Sequence, residues 1–349
     1  ERRSLVVSLI ANVAFAFLLL YALAMIRNNQ LSIGELTRQL AIRQVDGPDH
    51  DEPTVAVVIP AYNEAESVRG VVEALPATVL DHRVEAIVVS DGSDDDTRAA
   101  AADADAIVTE HPINQGQGGA LKTGFALAQQ HGADVVVTMD ADGQHRSEDV
   151  PKLVQAVGDG FAVGSRYLYD HPVEGLTRKR QVVSDVAAWS AHRAIPSARA
   201  LSDPMSGMFA VNSEVLTDDL LTRADPHGYK ILLELIAHSS APVVEVPIQF
   251  RQRQAGESNL DVDEVARFLE HVASLAMADR GWSISGPLVV RSIELGIAFG
   301  LLTLLLLTGL IVGGVDGAVG AGLIAGAGSL FVLAVQRWRA AGETWGETA

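Results

Sequence analysis

The sequence predicts an α/β fold, a mostly parallel sheet with helices on both faces, together with membrane-spanning helices. Apolar strand-like runs alternate with helix-like stretches from Thr54 onward, as in proteins built of β-α-β units. The first run, Thr54–Pro60, is continuously apolar, which is typical of a parallel strand buried on both faces. The later elements are predicted strands at Val84–Ser90, Ala106–Thr109 and Val135–Met139 and predicted helices at Glu64–Ala74 and Gly118–His131.

Long apolar segments predict transmembrane helices at residues 4–26, 287–313 and 315–336. Arginines follow the first and third segments, whereas the turn between the last two has no positive charge. The positive-inside rule therefore predicts an integral protein of the cell membrane whose central region is cytoplasmic. A cleaved signal peptide, the alternative for the first segment, has a shorter apolar region. The remaining divisions are a polar connector at 27–52, an α/β domain at 53–260 and an amphipathic interfacial segment at 261–286.

Composition excludes several classes of function. The net charge of -18 argues against a nucleic-acid partner, which would need a basic face. The chain has 0 cysteines, which excludes disulfides, thiolate metal sites and cysteine nucleophiles. Abundant acidic residues with scarce lysine fit either a halophile protein adapted to high salt or a GC-rich genome that favours arginine.

Polar clusters follow three of the predicted strands. They are Tyr62-Asn63-Glu64 after the first strand, Asp91-Gly92-Ser93 after the second and Asp140-Ala141-Asp142 after the fourth. Ligands of open α/β sheets bind beyond the carboxyl ends of the strands. The clusters therefore indicate a ligand site at that edge of the sheet.

Asp140 and Asp142 flank a small residue, Ala141, at the end of a predicted strand. Residues i and i+2 of an extended chain point the same way, so both carboxylates can face one hard cation such as Mg²⁺ or Mn²⁺. Such a metal bridges the phosphates of a nucleoside diphosphate and stabilises it as a leaving group. The alternative is a solvated Asp-rich turn, which is common in an acidic chain.

Eight segments, in chain order, resemble family 2 glycosyltransferases. Those that resemble the motifs of the whole superfamily are 58–65, 88–97 and 114–122. Those that resemble the dolichyl-phosphate mannose synthase branch are 140–145, 164–167, 202–207, 228–234 and 246–251 with 256–258. The departures are Ser90, where Asp is usual, and Gln117, where Lys is frequent. The resemblance implies a GT-A type, Rossmann-like fold.

The resemblance also implies roles for individual residues. The nucleotide would be held by Pro60, Ala61, Tyr62, Asn63, Glu64, Asp91, Lys122, Asp140 and Ala141. Asp142 and Gln144 would ligate the metal, with Asp140 close by. The residues implied in handling phosphate at the reacting centre are Arg166, Arg180, Ser184 and Arg251. Asp203 would be a base, a donor-sugar contact or a charge that orients an arginine. For Tyr62 the alternative is a role in core packing. For each arginine the alternative is an ordinary surface side chain.

The implied activity is inverting, metal-dependent transfer of a hexose to dolichyl or another polyprenyl phosphate at a membrane lipid surface. Mannose from GDP-mannose is favoured by the resemblance; the alternative donors are UDP-glucose or another nucleotide sugar. Further alternatives are transfer to a sugar already attached to a lipid and a catalytically inactive membrane protein that serves as an assembly partner. Arg178–Ile195 fits either a helix in the membrane interface or an amphipathic helix packed on the domain.

Overall fold

The computed structural model describes Met25, Leu275 and residues 32–46, 52–168, 188, 190–193, 195–224 and 231–251. The chain divides into two compact units, Ile26–Val272 and a second unit of Glu1–Met25 with Ala273–Ala349. All strands given below belong to the first unit. Within the described part of the chain, no helix has both the length and the apolar character needed to cross a bilayer. The spans predicted at 4–26, 287–313 and 315–336, and the segment at 261–286, lie outside the described residues apart from Met25 and Leu275.

A single mixed sheet of 8 strands forms the centre of the domain. The strands are β1 (Thr54–Ala61), β2 (Thr78–Val79), β3 (His82–Asp91), β4 (Ile107–His111), β5 (Val135–Thr138), β6 (Phe161–Ser165), β7 (Phe209–Asn212) and β8 (Val243–Pro247). Their order is β2-β3-β1-β5-β7-β6-β8, with β4 paired to β3. β1 is parallel to β3 and β5, and β3 is parallel to β4. The sheet is mixed because β7 runs antiparallel to both β5 and β6.

Helices cover both faces of this sheet. They are α1 (32–42), α2 (Val68–Glu73), α3 (Thr97–Ala102), α4 (Gly116–Gln130), α5 (Val150–Ala156), α6 (Asp218–Arg223) and α7 (Ile231–His238). Alternate residues of β1 enter two different hydrophobic clusters, Val55 and Val57 on one side and Ala56 and Val58 on the other. This burial on both faces explains why β1 is a continuously apolar run and confirms the prediction of an α/β sheet protein.

The predicted elements are present, with shifted ends. Each of the predicted strands is found, and the strand predicted from Val84 is longer, since β3 begins at His82. The helix predicted at Glu64–Ala74 is shorter, because α2 begins at Val68. The residues before Val68 are held in a turn, in which the Glu64 N–H donates to Thr97 Oγ1 at 2.8 Å.

Gly124 lets α4 lie directly on β1. A Cβ atom at this position would lie 2.2 Å from Val58 Cγ1, well inside van der Waals contact. The close approach fixes the height of α4 over the sheet and therefore the position of its N-terminal residues at the carboxyl end of β1.

Replacement of Gly124 by Ala is expected to destabilise the protein by about 1–3 kcal/mol, because Val58 is too short to move aside. Gly70→Ala is the matched control, since Gly70 lies within α2 and a Cβ there meets nothing within 4 Å. This control is expected to be neutral or to stabilise by up to about 1 kcal/mol. Denaturant titration of the full chain in detergent gives both free energies of unfolding, and equal values for the two variants would contradict the packing argument.

Candidate active site

A cleft of about 340 Å³ opens at the carboxyl ends of β1, β3 and β5. It brings together the three polar clusters that the sequence placed after separate strands. The residues that line it are Pro60, Ala61, Tyr62, Glu64, Asp91, Asn114, Gly116, Gln117, Ala120, Asp140, Ala141 and Asp142. Asn114, Gly116, Gln117 and Ala120 were not singled out as site residues, although they belong to a segment that resembles a family motif.

The loop after β1 is tied to the loop after β3. The Asn63 N–H donates to Ser93 Oγ at 3.1 Å, and Asn63 Oδ1 accepts from the Asp94 N–H at 2.9 Å. Asn63 has a φ of 53°, a region that Asn tolerates better than most residues. Asn63 thus joins the two loops and does not line the cleft. Tyr62 lines the cleft and is 49% exposed, so the core-packing alternative for Tyr62 is wrong.

Asp91 ends β3 and is only 3% exposed. Asp91 Oδ1 accepts from the Gln115 N–H at 2.8 Å and contacts His111 Nδ1 at 2.6 Å. Gly92 follows with a φ of 68°, and a Cβ there would lie 2.5 Å from the Asn114 nitrogen. Glycine is therefore required at residue 92 if the loop before α4 is to reach the Asp91 carboxylate.

Asp140 is held by several neighbours at the floor of the cleft. Asp140 Oδ1 accepts from Gln117 Nε2 at 2.7 Å. The Asp140 N–H donates to His145 Nδ1 at 3.1 Å, which ties the start of the loop to this buried ring. The carboxylate lies over Gly207, where a Cβ would be 2.8 Å from Asp140 Oδ2. Gly207 therefore leaves the space that the Asp140 carboxylate occupies.

Asp142 and Gln144 continue the same loop. The Gln144 N–H donates to Asp142 Oδ1 at 3.0 Å, and Gln144 Nε2 donates to the Arg251 carbonyl at 3.1 Å. The Arg251 N–H donates back to the Gln144 carbonyl at 2.9 Å. These bonds fasten the segment after β8 to the loop of residues 140–144, hereafter the acidic loop. The amide oxygen of Gln144 stays available as a ligand because the bond to Arg251 uses the amide nitrogen.

The chemistry of these side chains fits a hard divalent cation. Asp140 and Asp142 both line the cleft and supply carboxylate oxygens, and Gln144 adds an amide oxygen. Among the residues that the structure describes, no group of three or more His, Asp or Glu side chains is arranged around one point. Mg²⁺ is commonly held by one or two carboxylates with substrate phosphates and water, so a two-carboxylate set suits it.

Arg166 and Asp203 form a bidentate ion pair beside this loop. Arg166 Nε and Nη2 donate to Asp203 Oδ2 and Oδ1 at 2.7 and 2.9 Å. Burial lowers the pKa of Arg166. The hydrogen bonds that Arg166 donates to Asp203, the charge of Asp203 and the nearby Asp140 raise this pKa above the ordinary value overall. The guanidinium carbon lies 5.7 Å from the Tyr167 ring centroid and 5.3 Å from that of Phe250. Arg166 is therefore fixed in place as a permanent cation.

Asp203 is 0% exposed, and its two oxygens are engaged by Arg166. Its N–H donates to Glu245 Oε1 at 3.0 Å, which anchors the segment on β8. Of the alternatives for Asp203, this geometry favours the charge that orients an arginine.

Other predicted site residues lie away from the cleft or outside the part of the chain that the structure describes. Lys122 Nζ donates to the Ala224 carbonyl at 2.9 Å, and Lys122 lines a different cavity of about 470 Å³ between α1, α4 and α6. This position corrects the expectation that Lys122 contacts the nucleotide. Arg180 and Ser184 lie outside the described residues. Arg251 is near the acidic loop, with its side chain 47% exposed and 3.5 Å from Glu148.

Comparison with known proteins identifies the family of this chain. Residues 56–217 match the model of the family described as glycosyl transferase family 2. The chain is 35% identical over 231 residues to dolichol-phosphate mannosyltransferase of Pyrococcus furiosus, a match that covers 63% of each chain. It is 32% identical over 243 residues to polyprenol monophosphomannose synthase of Mycolicibacterium smegmatis, which covers 66% of this chain and 88% of that protein. It is also 32% identical to undecaprenyl-phosphate mannosyltransferase of Micrococcus luteus, over 65% of this chain and 95% of that one.

A solved structure shares the fold. Glucosyl-3-phosphoglycerate synthase of Mycobacterium tuberculosis, in complex with Mn²⁺, uridine diphosphate and glucosyl-3-phosphoglycerate, superposes with a TM-score of 0.51 at 22% identity. The superposition covers 68% of this chain and 88% of that one. The family match, the identity to the three relatives and the GT-A-like sheet lead to one conclusion. The chain belongs to glycosyl transferase family 2 and is a glycosyltransferase.

Proposed function

We propose that this glycosyltransferase moves one hexose from a nucleotide sugar to the phosphate of a polyprenyl lipid, dolichyl phosphate or a related one. The observation that carries the proposal is the pair of carboxylates, Asp140 and Asp142, in a cleft that also contains Asp91. The names of the relatives from Pyrococcus, Mycolicibacterium and Micrococcus support a polyprenol-type acceptor.

The donor end of the site is the cleft itself. Asp140, Asp142 and Gln144 would hold Mg²⁺ or Mn²⁺, and the bound metal would neutralise the charge of the diphosphate leaving group. Tyr62 and Asp91 also line the cleft, where they would hold the nucleoside. Gly116 and Gln117 begin α4 at the cleft, so the positive end of the helix dipole would favour an anionic ligand there.

The acceptor end requires cations rather than a base. A lipid phosphate is ionised at neutral pH, so its oxygen needs charge neutralisation and in-line placement behind the sugar carbon. Arg166 is fixed by Asp203 and supplies one such charge beside Asp140. Arg251 supplies a second one, because its backbone is hydrogen bonded to Gln144 of the acidic loop. Attack from this side inverts the configuration of the sugar carbon.

Mannose from GDP-mannose is the donor we favour. The three relatives are named for mannose transfer, which supports this sugar over glucose. UDP-glucose or another nucleotide sugar stays the alternative, and Gln117 at the cleft wall is one position where the residue departs from the family pattern.

We also propose that the domain works on the cytoplasmic face of the cell membrane, with the predicted spans as anchors. The support is the charge asymmetry of the sequence, in which arginines follow the first and third apolar segments. Protease added outside intact cells is expected to leave residues 53–260 uncut, whereas cleavage within that range would contradict this orientation.

Asp142→Ala is expected to lower transfer by about 100-fold or more, because one of the two carboxylates at the metal is lost. The measurement is label transferred from a nucleotide sugar to extracted lipid at saturating Mg²⁺ or Mn²⁺. Asp103→Ala is the control, since Asp103 is 64% exposed and pairs with Arg69 outside the cleft. Full activity of a folded Asp142→Ala protein would remove the metal assignment.

Arg251→Ala is expected to raise the KM for the lipid phosphate by about tenfold, with little change in the KM for the nucleotide sugar. Arg69→Ala is the matched control, because the side chains of Arg69 and Arg251 are equally exposed, at 47%, and each pairs with an acid. An unchanged acceptor KM in the Arg251 variant would show that this arginine does not bind the acceptor.

A further inference from the structure

Behind Asp91, a buried histidine connects the nucleotide cleft to the interior of the domain. Asp91 and His111 are opposite each other in the register of β3 and β4 and are 3% and 1% exposed. His111 Nδ1 lies 2.6 Å from Asp91 Oδ1, and His111 Nε2 lies 2.9 Å from Thr123 Oγ1 on α4. Asp91 lines the cleft, and His111 lines the separate cavity behind it.

The hydrogen bonds around His111 determine where its protons are. An ionised Asp91 can only accept, so His111 Nδ1 donates to it. Thr123 Oγ1 has a single proton, which it donates to the Gly119 carbonyl at 3.2 Å. His111 Nε2 must then donate to Thr123 Oγ1. Both ring nitrogens carry protons in this arrangement, and His111 is a buried cation next to a buried carboxylate.

The cleft needs this cation for an electrostatic reason. Glu64, Asp91, Asp140 and Asp142 all line a space that would receive an anionic nucleotide sugar. The metal would compensate Asp140 and Asp142, but Asp91 lies on another strand end. Without a counter-charge, a carboxylate as deeply buried as Asp91 would be costly to ionise and would repel the diphosphate.

The same contacts orient the carboxylate. Asp91 Oδ1 already accepts from the Gln115 N–H at 2.8 Å and from His111. Both of these contacts use Oδ1, and among the described residues none donates a hydrogen bond to Asp91 Oδ2, so this oxygen is left to accept from a ligand in the cleft. A base N–H group or a ribose hydroxyl is the kind of donor that such an oxygen recognises.

We propose that His111 is a positioning residue that keeps Asp91 ionised and turned toward the nucleoside of the donor. The proposal rests on the function proposed above, and it assigns to His111 a part in nucleotide affinity. His111 itself does not line the cleft; it acts through Asp91.

Other charged groups face His111 across the cavity behind it. They are Glu35 and Arg38 on α1, Lys122 on α4, and Asp218 and Arg223 on α6. Arg38 pairs with Glu35 at 2.7 Å and Arg223 pairs with Asp219 at 2.6 Å, so these charges largely cancel locally. Among the described residues, Asp91 is the acid in direct contact with His111.

Two substitutions of His111 test the hydrogen bonds of its two ring nitrogens separately. The amide nitrogen of Asn stands near the position of Nδ1, so His111→Asn keeps a donor for Asp91 without the charge. The amide of Gln reaches the position of Nε2, so His111→Gln contacts Thr123 and leaves Asp91 without its partner. His111→Ala removes both contacts, and His82→Ala is the control at the opposite end of β3.

Calorimetric titration of the full chain with GDP and with UDP, at saturating Mg²⁺, is the test. The Kd of the nucleotide that binds wild-type protein is expected to rise about tenfold or more in the Gln and Ala variants. The Asn variant is expected to bind the nucleotide more tightly than the Gln variant, because Asn keeps a hydrogen-bond donor for Asp91. The kcat at saturating nucleotide sugar is expected to stay within about threefold of wild type in the Asn variant.

Some results would overturn the proposal. Equal nucleotide Kd values for the Asn and Gln variants would show that His111 only packs. A Kd within twofold of wild type in both variants would show that Asp91 needs no partner. In these two cases the proposed function stands. If wild-type protein binds neither GDP nor UDP, the proposed function fails and the role of His111 fails with it.

Discussion

β1 pairs in parallel with both β3 and β5, and the carboxyl ends of the three strands therefore lie at one edge of the sheet. The parallel pairing depends on burial of β1 on both faces, with alternate residues in separate hydrophobic clusters. Every acid that lines the cleft follows one of these strands. Gly124 keeps α4 close to Val58, and the start of α4 completes the wall of the same cleft. Loss of this packing would separate the groups that have to act on one nucleotide sugar.

A second constraint is the accumulation of negative charge in a small space. Gln117 and backbone N–H groups donate to the carboxylates of Asp140 and Asp142, and His111 and Gln115 donate to Asp91. Arg166 is a cation close to Asp140, and the pKa of Arg166 is raised overall because Asp203 outweighs the effect of burial. The divalent cation that we propose would compensate Asp140 and Asp142 when a diphosphate binds. It would also make the nucleotide a better leaving group.

The strands and their polar ends could be predicted because they depend on local sequence. In a chain where such runs alternate with helices, a continuous apolar run followed by acids predicts a buried parallel strand with polar residues at its carboxyl end. Lys122 could not be placed in this way, because α4 turns Gln117 and Ala120 toward the cleft and Lys122 and Thr123 toward the other cavity. Its face depends on the residue at which α4 begins. The roles of Asp203 and His111 depend on contacts with Arg166 and Asp91 on other strands, which only the pairing of the strands reveals. Asp91 and His111 are the last residues of two strands that neighbour each other in the sheet. This shared position is the feature of the sequence that could have predicted their contact.

The central claim is that this family 2 glycosyltransferase transfers a single sugar to a polyprenyl phosphate. The most direct measurement incubates membranes that contain the protein with labelled GDP- and UDP-sugars in turn, with Mg²⁺ or Mn²⁺, and then extracts the lipid. We expect label in an acid-labile lipid from one donor, GDP-mannose, and none after the divalent cation is chelated. Label that stays out of the lipid with every donor, or that enters it equally well without a divalent cation, would contradict the account.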